Sequence, residues 1–301
     1  MHGERKAMHQ LIPIVQQIVK QAEKKAHYRT SKNGKKFAIL GESDGDAVLF
    51  NGLLSTVIHG ADNWALDAVL DSQGNDGMFY RSPHRKETNN EGYEHFFSRD
   101  MSLGVMCAMT NISFPETSAM KWMEYINNLK KWYWPYYKFA PDSRSIITPA
   151  IWGLLCRVWN YRIWPLHGEM KKFNKFDGDF NAIQATFSDL GYQLHLKVVD
   201  AYIKYLINQS REYSQMIGDI AFKRQPDNLF YEFVSRRYFT QEMIERFIML
   251  SSKIDFDSFG HSWIWEKSDI NSHLDSCCGW DLVFMGKLIL SSELNSYSAT
   301  S

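Results

Sequence analysis

The sequence has few cysteines, no net charge and no long apolar run. Four cysteines in 301 residues are too few for a disulfide framework, and none stands in a Cys-x-x-Cys or Cys/His spacing that predicts zinc. Lys plus Arg and Asp plus Glu both total 34, which argues against non-specific binding of nucleic acid. Since no apolar segment is long enough to span a membrane, we expect neither nucleic acid nor a membrane as a partner.

Motifs for nucleotide and metal chemistry are also missing. The chain has no glycine-rich phosphate loop, dinucleotide fingerprint, His-Glu-x-x-His or protein-kinase motif, which excludes nucleotide enzymes and zincins. The acidic run Glu42 to Asp46 alternates as in a calcium loop, but Ala47 stands where that loop needs glycine. The sequence therefore predicts no cofactor and no metal.

The N-terminus lacks the uninterrupted apolar segment of a secretory signal. Its apolar residues Leu11, Ile14, Val15, Ile18 and Val19 are instead spaced for an amphipathic helix. The chain as given is predicted to be cytoplasmic, or secreted or periplasmic if a leader was removed. The oligomeric state stays open.

Helical spacing of apolar residues recurs along the whole chain, whereas period-two alternation is missing, so we predict an all-α protein. Amphipathic helices alternate with helices that are apolar on every side, such as Ala47 to Ile58, Met101 to Thr110 and Ile151 to Trp159. A helix that is apolar on all sides is buried on all sides. This alternation predicts two concentric helical layers, an α/α toroid of about six hairpins in one domain over residues 1–301.

The stretch from Phe79 to Gly104 concentrates charged and titratable residues in a loop that leads into a helix. Arg81 offers a planar fork of donors and His84 titrates near neutral pH, which suits an anionic or hydroxyl-rich ligand. An arginine that braces the loop by binding carbonyls is the competing interpretation. Arg99 and Asp100 follow Ser98 at the start of the helix, where Asp100 is either a functional carboxylate or a partner of the helix dipole.

A second acidic loop, Glu42-Ser-Asp-Gly-Asp46, precedes the apolar helix that begins at Ala47. Either Asp44 or Asp46 caps that helix, or one of them acts as a general acid or base in low-dielectric surroundings. The later Asp177-Gly-Asp179 run is interpreted as a turn.

Aromatic residues make up 15% of the chain, and most of that bulk should be core. The run Trp132-Tyr-Trp-Pro-Tyr-Tyr137 is dense enough to include a sugar-stacking surface. A late loop contains Trp263, Trp265 and Glu266, and Asp281 opens the last apolar helix. Glu266 is a candidate for the second functional carboxylate. Asp281 is either an equally good candidate for that role or a cap of the last helix. Gly260-His-Ser262 is not a nucleophile elbow, because Ile264 replaces the second glycine.

The layout of apolar helices preceded by Asp-Gly-Asp and Ser-Arg-Asp loops, together with many tryptophans, resembles the α/α-toroid glycoside hydrolases and polysaccharide lyases. The resemblance is architectural and covers most of the chain. It implies that loops at the N-termini of the inner helices line a sugar-binding cleft. The corresponding loops precede Ala47, Met101, Ala150 and Leu282.

These observations favour a carbohydrate-active enzyme with an oligo- or polysaccharide substrate, most simply a glycoside hydrolase with paired carboxylates. Asp100 pairs with Asp44 or Asp46 in this hypothesis, and Arg81, His84, Arg99, Trp263, Trp265, Glu266 and Asp281 bind the substrate. A polysaccharide lyase with a Tyr or His base, acting on a uronate-containing glycan, is the nearest alternative. A non-catalytic helical protein that binds a glycan or a protein is the alternative from another class.

Overall fold

The computed structural model describes residues 2–60, 62–89, 97–129, 153–158, 183–208 and 211–298. Helices dominate these ranges, which confirms the predicted all-α class. The first six are α1 (His2–Lys25), α2 (Ala47–Ser55), α3 (Trp64–Asp71), α4 (Pro83–Glu87), α5 (Arg99–Met109) and α6 (Glu116–Leu129). Two short helical stretches follow, α7 (153–158) and α8 (183–187). The last five are α9 (Tyr192–Leu206), α10 (Arg211–Arg224), α11 (Leu229–Arg236), α12 (Gln241–Ser251) and α13 (Trp280–Ser298).

Several helix starts are set by polar caps. Asn63 accepts a hydrogen bond from the Leu66 amide at the start of α3, and Thr240 accepts one from the Met243 amide at the start of α12. Such caps satisfy amides that have no partner within the helix. The sequence therefore determines these helix boundaries locally.

The helices predicted to be buried on every face are buried. All residues of α2 from Ala47 to Ser55 are buried, and so are those of α5 from Asp100 to Met109. The six described residues of α7 are buried as well. The apolar character of these three sequence segments on every side thus correctly predicted helices that pack on every side against other parts of the protein.

A short β-hairpin was not predicted. Strands β1 (Tyr28–Thr30) and β2 (Lys36–Ala38) pair antiparallel, with Arg29 opposite Phe37. Three residues are too few to show alternation, so the sequence pattern could not reveal them. The Lys36 ammonium lies 4.4 Å from the ring centre of Tyr28, 4.9 Å from that of Trp64 and 5.2 Å from that of Trp280. These cation–π contacts fasten the hairpin to α3 and α13.

Helices α2, α5 and α9 form a continuous series of contacts, and α2 and α9 each contact further helices. Helix α2 contacts α3, α5 and α13, while α9 contacts α5, α10 and α11. Helix α13 also packs against α1 and α12. The main core is continuous and takes buried side chains from Val15 in α1 through to Ile289 in α13.

Helices α2 and α5 approach each other more closely than side chains permit. A Cβ atom on Gly52 would lie 2.1 Å from the Gly104 carbonyl oxygen, and one on Gly104 would lie 2.4 Å from the Val48 carbonyl oxygen. Only glycine fits at a backbone contact of this kind. The crossing sets the spacing between the two helices whose N-termini carry Asp46 and Asp100.

We expect Gly104→Ala to destabilise the protein by about 3 kcal/mol or more, because the new methyl group collides with backbone that cannot move aside. Glycine to alanine in an unconstrained helix stabilises by about 1 kcal/mol, so the sign of the change is diagnostic. Urea denaturation measures it, with Thr117→Ala on the exposed face of α6 as the control. A stabilised Gly104→Ala variant would show that the crossing is looser than described.

Candidate active site

Asp46 lies at the N-cap position of α2, but its side chain makes no capping hydrogen bond. Its Oδ1 accepts instead from an Arg81 guanidinium nitrogen at 3.0 Å. The same nitrogen donates to the Gly45 carbonyl at 2.7 Å, and the Arg81 carbonyl accepts from the Val48 amide at 2.9 Å. Arg81 therefore braces the start of α2 while it pairs with a half-exposed carboxylate.

Asp100 lies in the first turn of α5 and is almost fully buried, with 8% of its surface exposed. Its Oδ2 accepts a hydrogen bond of 2.6 Å from the hydroxyl of Tyr192, the first residue of α9. The Ser98 hydroxyl, two residues earlier, is buried and has no hydrogen-bond partner among the described residues. A buried polar atom of this kind is a natural contact for a polar ligand.

Glu266 ends the short 3-10 turn from Ile264 to Glu266, which precedes α13. Its side chain is 14% exposed, and its Oε1 lies 3.6 Å from the Lys267 ammonium. The pKa of Glu266 is raised to about 7. Burial is the main cause, Lys267 opposes the rise, and the carboxylates of Asp46 and Asp100 add to it. At neutral pH this carboxyl group is therefore partly protonated and able to donate a proton.

Three carboxylates from distant parts of the chain thus act on one another. Although nearly half of the Asp46 side chain is exposed, desolvation by the protein around it raises its pKa, Arg81 opposes the rise, and the negative charge of Asp100 adds to it. The raised pKa of Tyr192 has burial as its main cause, followed by Asp100, Asp46 and Glu266. We call Asp46, Asp100, Tyr192 and Glu266 the carboxylate cluster. Across the described ranges, no group of three His, Cys, Asp or Glu side chains is arranged to hold a metal ion.

The backbone around Glu266 is held from several directions. Asn228 donates to the Trp265 carbonyl at 2.8 Å, and Gln225 donates to the Lys267 carbonyl at 2.5 Å. Gly191 has a positive φ of 81°, and a Cβ there would lie 3.0 Å from the Glu266 carbonyl oxygen. These contacts fix the backbone of Glu266 relative to that of Tyr192.

Asp44 does not fit the catalytic role predicted for it. Its side chain is only 1% exposed and is surrounded by donors. It accepts from the Ser82 hydroxyl at 2.8 Å and from Arg85 Nε at 3.1 Å, and His84 Nδ1 lies 3.2 Å from it. Asp44 therefore anchors the start of α4 to the loop before α2 and presents no oxygen to a substrate.

Trp263, Trp265 and Asp281 do not fit the substrate-binding role predicted for them, because all three are completely buried. Trp263 stacks on Phe50 with 4.7 Å between ring centres. Asp281 Oδ2 accepts from the Ile264 amide at 2.9 Å, and the Asp281 carbonyl accepts from Trp265 Nε1 at 2.9 Å. Asp281 thus holds the Glu266 loop against α13, and its raised pKa follows from its burial.

The remaining predicted site residues fall into three groups. Arg81 pairs with Asp46 of the carboxylate cluster. His84 pairs with Asp44, and Arg99 is exposed at the first residue of α5. A role of His84 and Arg99 in binding stays a prediction. The aromatic run 132–137, the Asp177 to Asp179 turn and the loop before Ala150 lie outside the described residues.

A depression of about 430 Å³ is lined by Gln73, Gly74, Asn75, Asp76, Tyr80 and Lys86, and contains no member of the carboxylate cluster.

Sequence reasoning missed Tyr192 and Lys267. Tyr192 directly follows Gly191 at the start of a helix, the same placement that marked Asp46 and Asp100. Tyrosine usually packs in the core, however, so its position in the sequence does not mark it as a site residue. Only the tertiary contact between the Tyr192 hydroxyl and Asp100 reveals it. Lys267 contributes a positive charge that opposes the rise in the pKa of its neighbour Glu266.

Comparison with family models, with curated proteins and with solved structures finds no match for this chain. Among the helices that the structure describes, none combines the length and the apolar character needed to cross a membrane.

We expect Asp44→Asn to lower the free energy of unfolding by about 2 kcal/mol, since it removes a buried charge from Arg85 and Ser82. Thermal or urea denaturation at neutral pH measures the loss. Asp62→Asn, the same change at an exposed position, should have almost no effect. An unchanged melting temperature in Asp44→Asn would remove Asp44 from its anchoring role.

Glu266→Gln should make stability less dependent on pH. The pKa of Glu266 lies higher in the folded protein, at about 7, than its ordinary value of 4.5. The folded protein therefore loses stability as the pH rises from 4.5 through 7, by about 3 kcal/mol in total. Glutamine does not ionise and escapes this loss.

At pH 8 the Glu266→Gln variant is accordingly expected to be more stable than the parent by about 2 to 3 kcal/mol, with little difference at pH 4.5. Thermal denaturation across this pH range tests the expectation. Glu242→Gln, at an exposed position in α12, is the matched control. An equal difference at both pH values would mean that the Glu266 carboxyl is not perturbed.

Proposed function

We propose that this protein is a carbohydrate-active enzyme, a glycoside hydrolase that uses Glu266 as proton donor and Asp100 as base. The single observation that carries the proposal is the carboxylate cluster. Three acidic side chains from separate loops influence one another electrostatically, and one of them has its pKa raised to about 7. Acid–base cleavage of a glycosidic bond requires one protonated carboxyl group and one carboxylate, and therefore two carboxyl groups with different pKa values.

The proposed reaction divides the two proton transfers between two residues. The protonated Glu266 donates its proton to the glycosidic oxygen as the bond to the anomeric carbon breaks. The ionised Asp100 accepts a proton from the water that attacks that carbon. Asp46, paired with Arg81, adds negative charge that stabilises the positive anomeric centre of the transition state.

We further propose that the helices form the single α/α toroid that the sequence pattern predicts. Support comes from the neighbours of the buried helices, because α5 contacts α2 and α9, α9 contacts α11, and α2 contacts α13. Helices α1, α3, α10 and α12 each contact at least one member of this series, as an outer layer would. Asp46, Asp100 and Tyr192 stand at the N-termini of α2, α5 and α9, which is expected if these three helices run in the same direction. Glu266 precedes α13, with a second 3-10 turn, Asn271–Ser276, between them.

Two observations favour hydrolysis over the alternatives. A lyase needs a tyrosinate or neutral histidine base, but the raised pKa of Tyr192 keeps its hydroxyl protonated, and His84 lies against Asp44. A purely binding protein has no need of carboxylates that perturb one another's ionisation. The cluster is therefore more readily explained by catalysis.

Activity screening provides the direct test. The purified protein is incubated with a panel of neutral and uronic polysaccharides, while reducing ends and the absorbance of unsaturated products are followed. We expect new reducing ends without an unsaturated chromophore, and a rate that falls above pH 7 as Glu266 ionises. Unsaturated products would favour the lyase, and binding without cleavage would favour the non-catalytic alternative.

Asp100→Asn is expected to abolish turnover on the identified substrate, with a loss of roughly a hundredfold to ten-thousandfold in kcat. The stability cost should not exceed about 1 kcal/mol, because the amide keeps the shape and part of the hydrogen bonding. Steady-state kinetics and thermal denaturation are measured on the same preparation, with Asp62→Asn as the control. Near-normal activity together with a lowered melting temperature would make Asp100 a structural residue.

A further inference from the structure

Tyr192 is the one member of the carboxylate cluster that is not itself a carboxylate. It is the first residue of α9, and Gly191 before it lies against the backbone of Glu266 and Ser268. Its hydroxyl donates to Asp100 Oδ2 at 2.6 Å, while 44% of the residue stays exposed. Tyr192 thus reaches from solvent into the cluster and touches one specific oxygen.

The partners of the three carboxylates differ in charge. Asp46 is paired with the Arg81 guanidinium, and Glu266 faces the Lys267 ammonium. The Asp100 side chain instead accepts from the neutral phenol of Tyr192. A cation beside a carboxylate reduces its basicity, whereas a neutral donor orders one oxygen and adds no positive charge.

We propose that Tyr192 is a positioning residue that holds Asp100 as the base of the reaction, an inference that rests on the glycoside hydrolase function proposed above. The hydrogen bond to Oδ2 fixes the rotation of the carboxylate and directs Oδ1 to the attacking water. The negatively charged groups that act on Tyr192 are Asp100 from α5, Asp46 from the loop before α2, and Glu266 from the turn Ile264–Glu266. All three favour the protonated hydroxyl, so Tyr192 remains a donor.

Tyr192→Phe tests this role, because it keeps the ring and removes only the hydroxyl. On an active substrate we expect kcat to fall roughly ten- to hundredfold with little change in KM. The acidic limb of the pH–rate profile should move up by roughly one pH unit, since the hydrogen bond to the ionised carboxylate is gone. Tyr238→Phe, an exposed tyrosine between α11 and α12, is the matched control and should leave both quantities unchanged.

A second measurement does not depend on activity. Carbon-13 NMR of protein labelled at the aspartate carboxyl groups follows the Asp100 resonance, which is assigned by its loss in Asp100→Asn. We expect this resonance to titrate at higher pH in Tyr192→Phe than in the parent or in Tyr238→Phe. An identical titration in all three proteins would overturn the pairing and, with it, the proposed role.

The outcomes separate the two proposals. A shifted NMR titration with unchanged kcat and pH profile would overturn the positioning role but leave the hydrolase function standing. A parent protein that cleaves no glycan would overturn the hydrolase function, while the NMR experiment would still decide whether Tyr192 and Asp100 are paired. Lower kcat, a shifted acidic limb and a shifted titration together support the inference.

Discussion

The close crossing of α2 and α5 is the constraint on which the rest of the site depends. Gly52 and Gly104 let the two backbones touch, so the helices that begin at Ala47 and Arg99 are held at a fixed spacing. Asp46 and Asp100 stand at the N-termini of these two helices. Because the helices are buried on every face, neither can shift without disturbing the core around it. The spacing of the two aspartates is therefore a property of the core.

The remaining members of the site are fastened to this pair from outside. Asp44 secures the loop before α2 to the start of α4, and Arg81 from the same region pairs with Asp46. Asp281, Asn228 and Gln225 hold the turn that carries Glu266. Buried polar residues that make several hydrogen bonds stabilise such loops. Loss of one partner then leaves a buried polar group unsatisfied, which destabilises the fold. Asp44 and Asp281, which are candidate functional carboxylates in the sequence, have this supporting role in the structure.

Clustering of negative charge is unfavourable for folding and useful for chemistry. Burial and mutual repulsion raise the pKa of Glu266 to about 7, which stabilises its protonated form and costs stability at alkaline pH. Arg81 and Lys267 offset part of this repulsion. A protein that only needed a stable core would place apolar or fully paired groups here, so the arrangement supports the function proposed above.

The amino-acid sequence alone specified the helical class, the buried helices and the acidic loops before two of them, because these depend on local periodicity and capping. It could not rank Asp44 against Asp46, since both precede the same helix. They differ in burial and in their partners, Arg85, Ser82 and His84 for Asp44 and Arg81 for Asp46. Nor could it show that Trp263 and Trp265 are core residues, or that Tyr192 meets Asp100 across 92 positions of chain. Those distinctions depend on which side chains face each other after the helices have packed, and only the tertiary structure decides them.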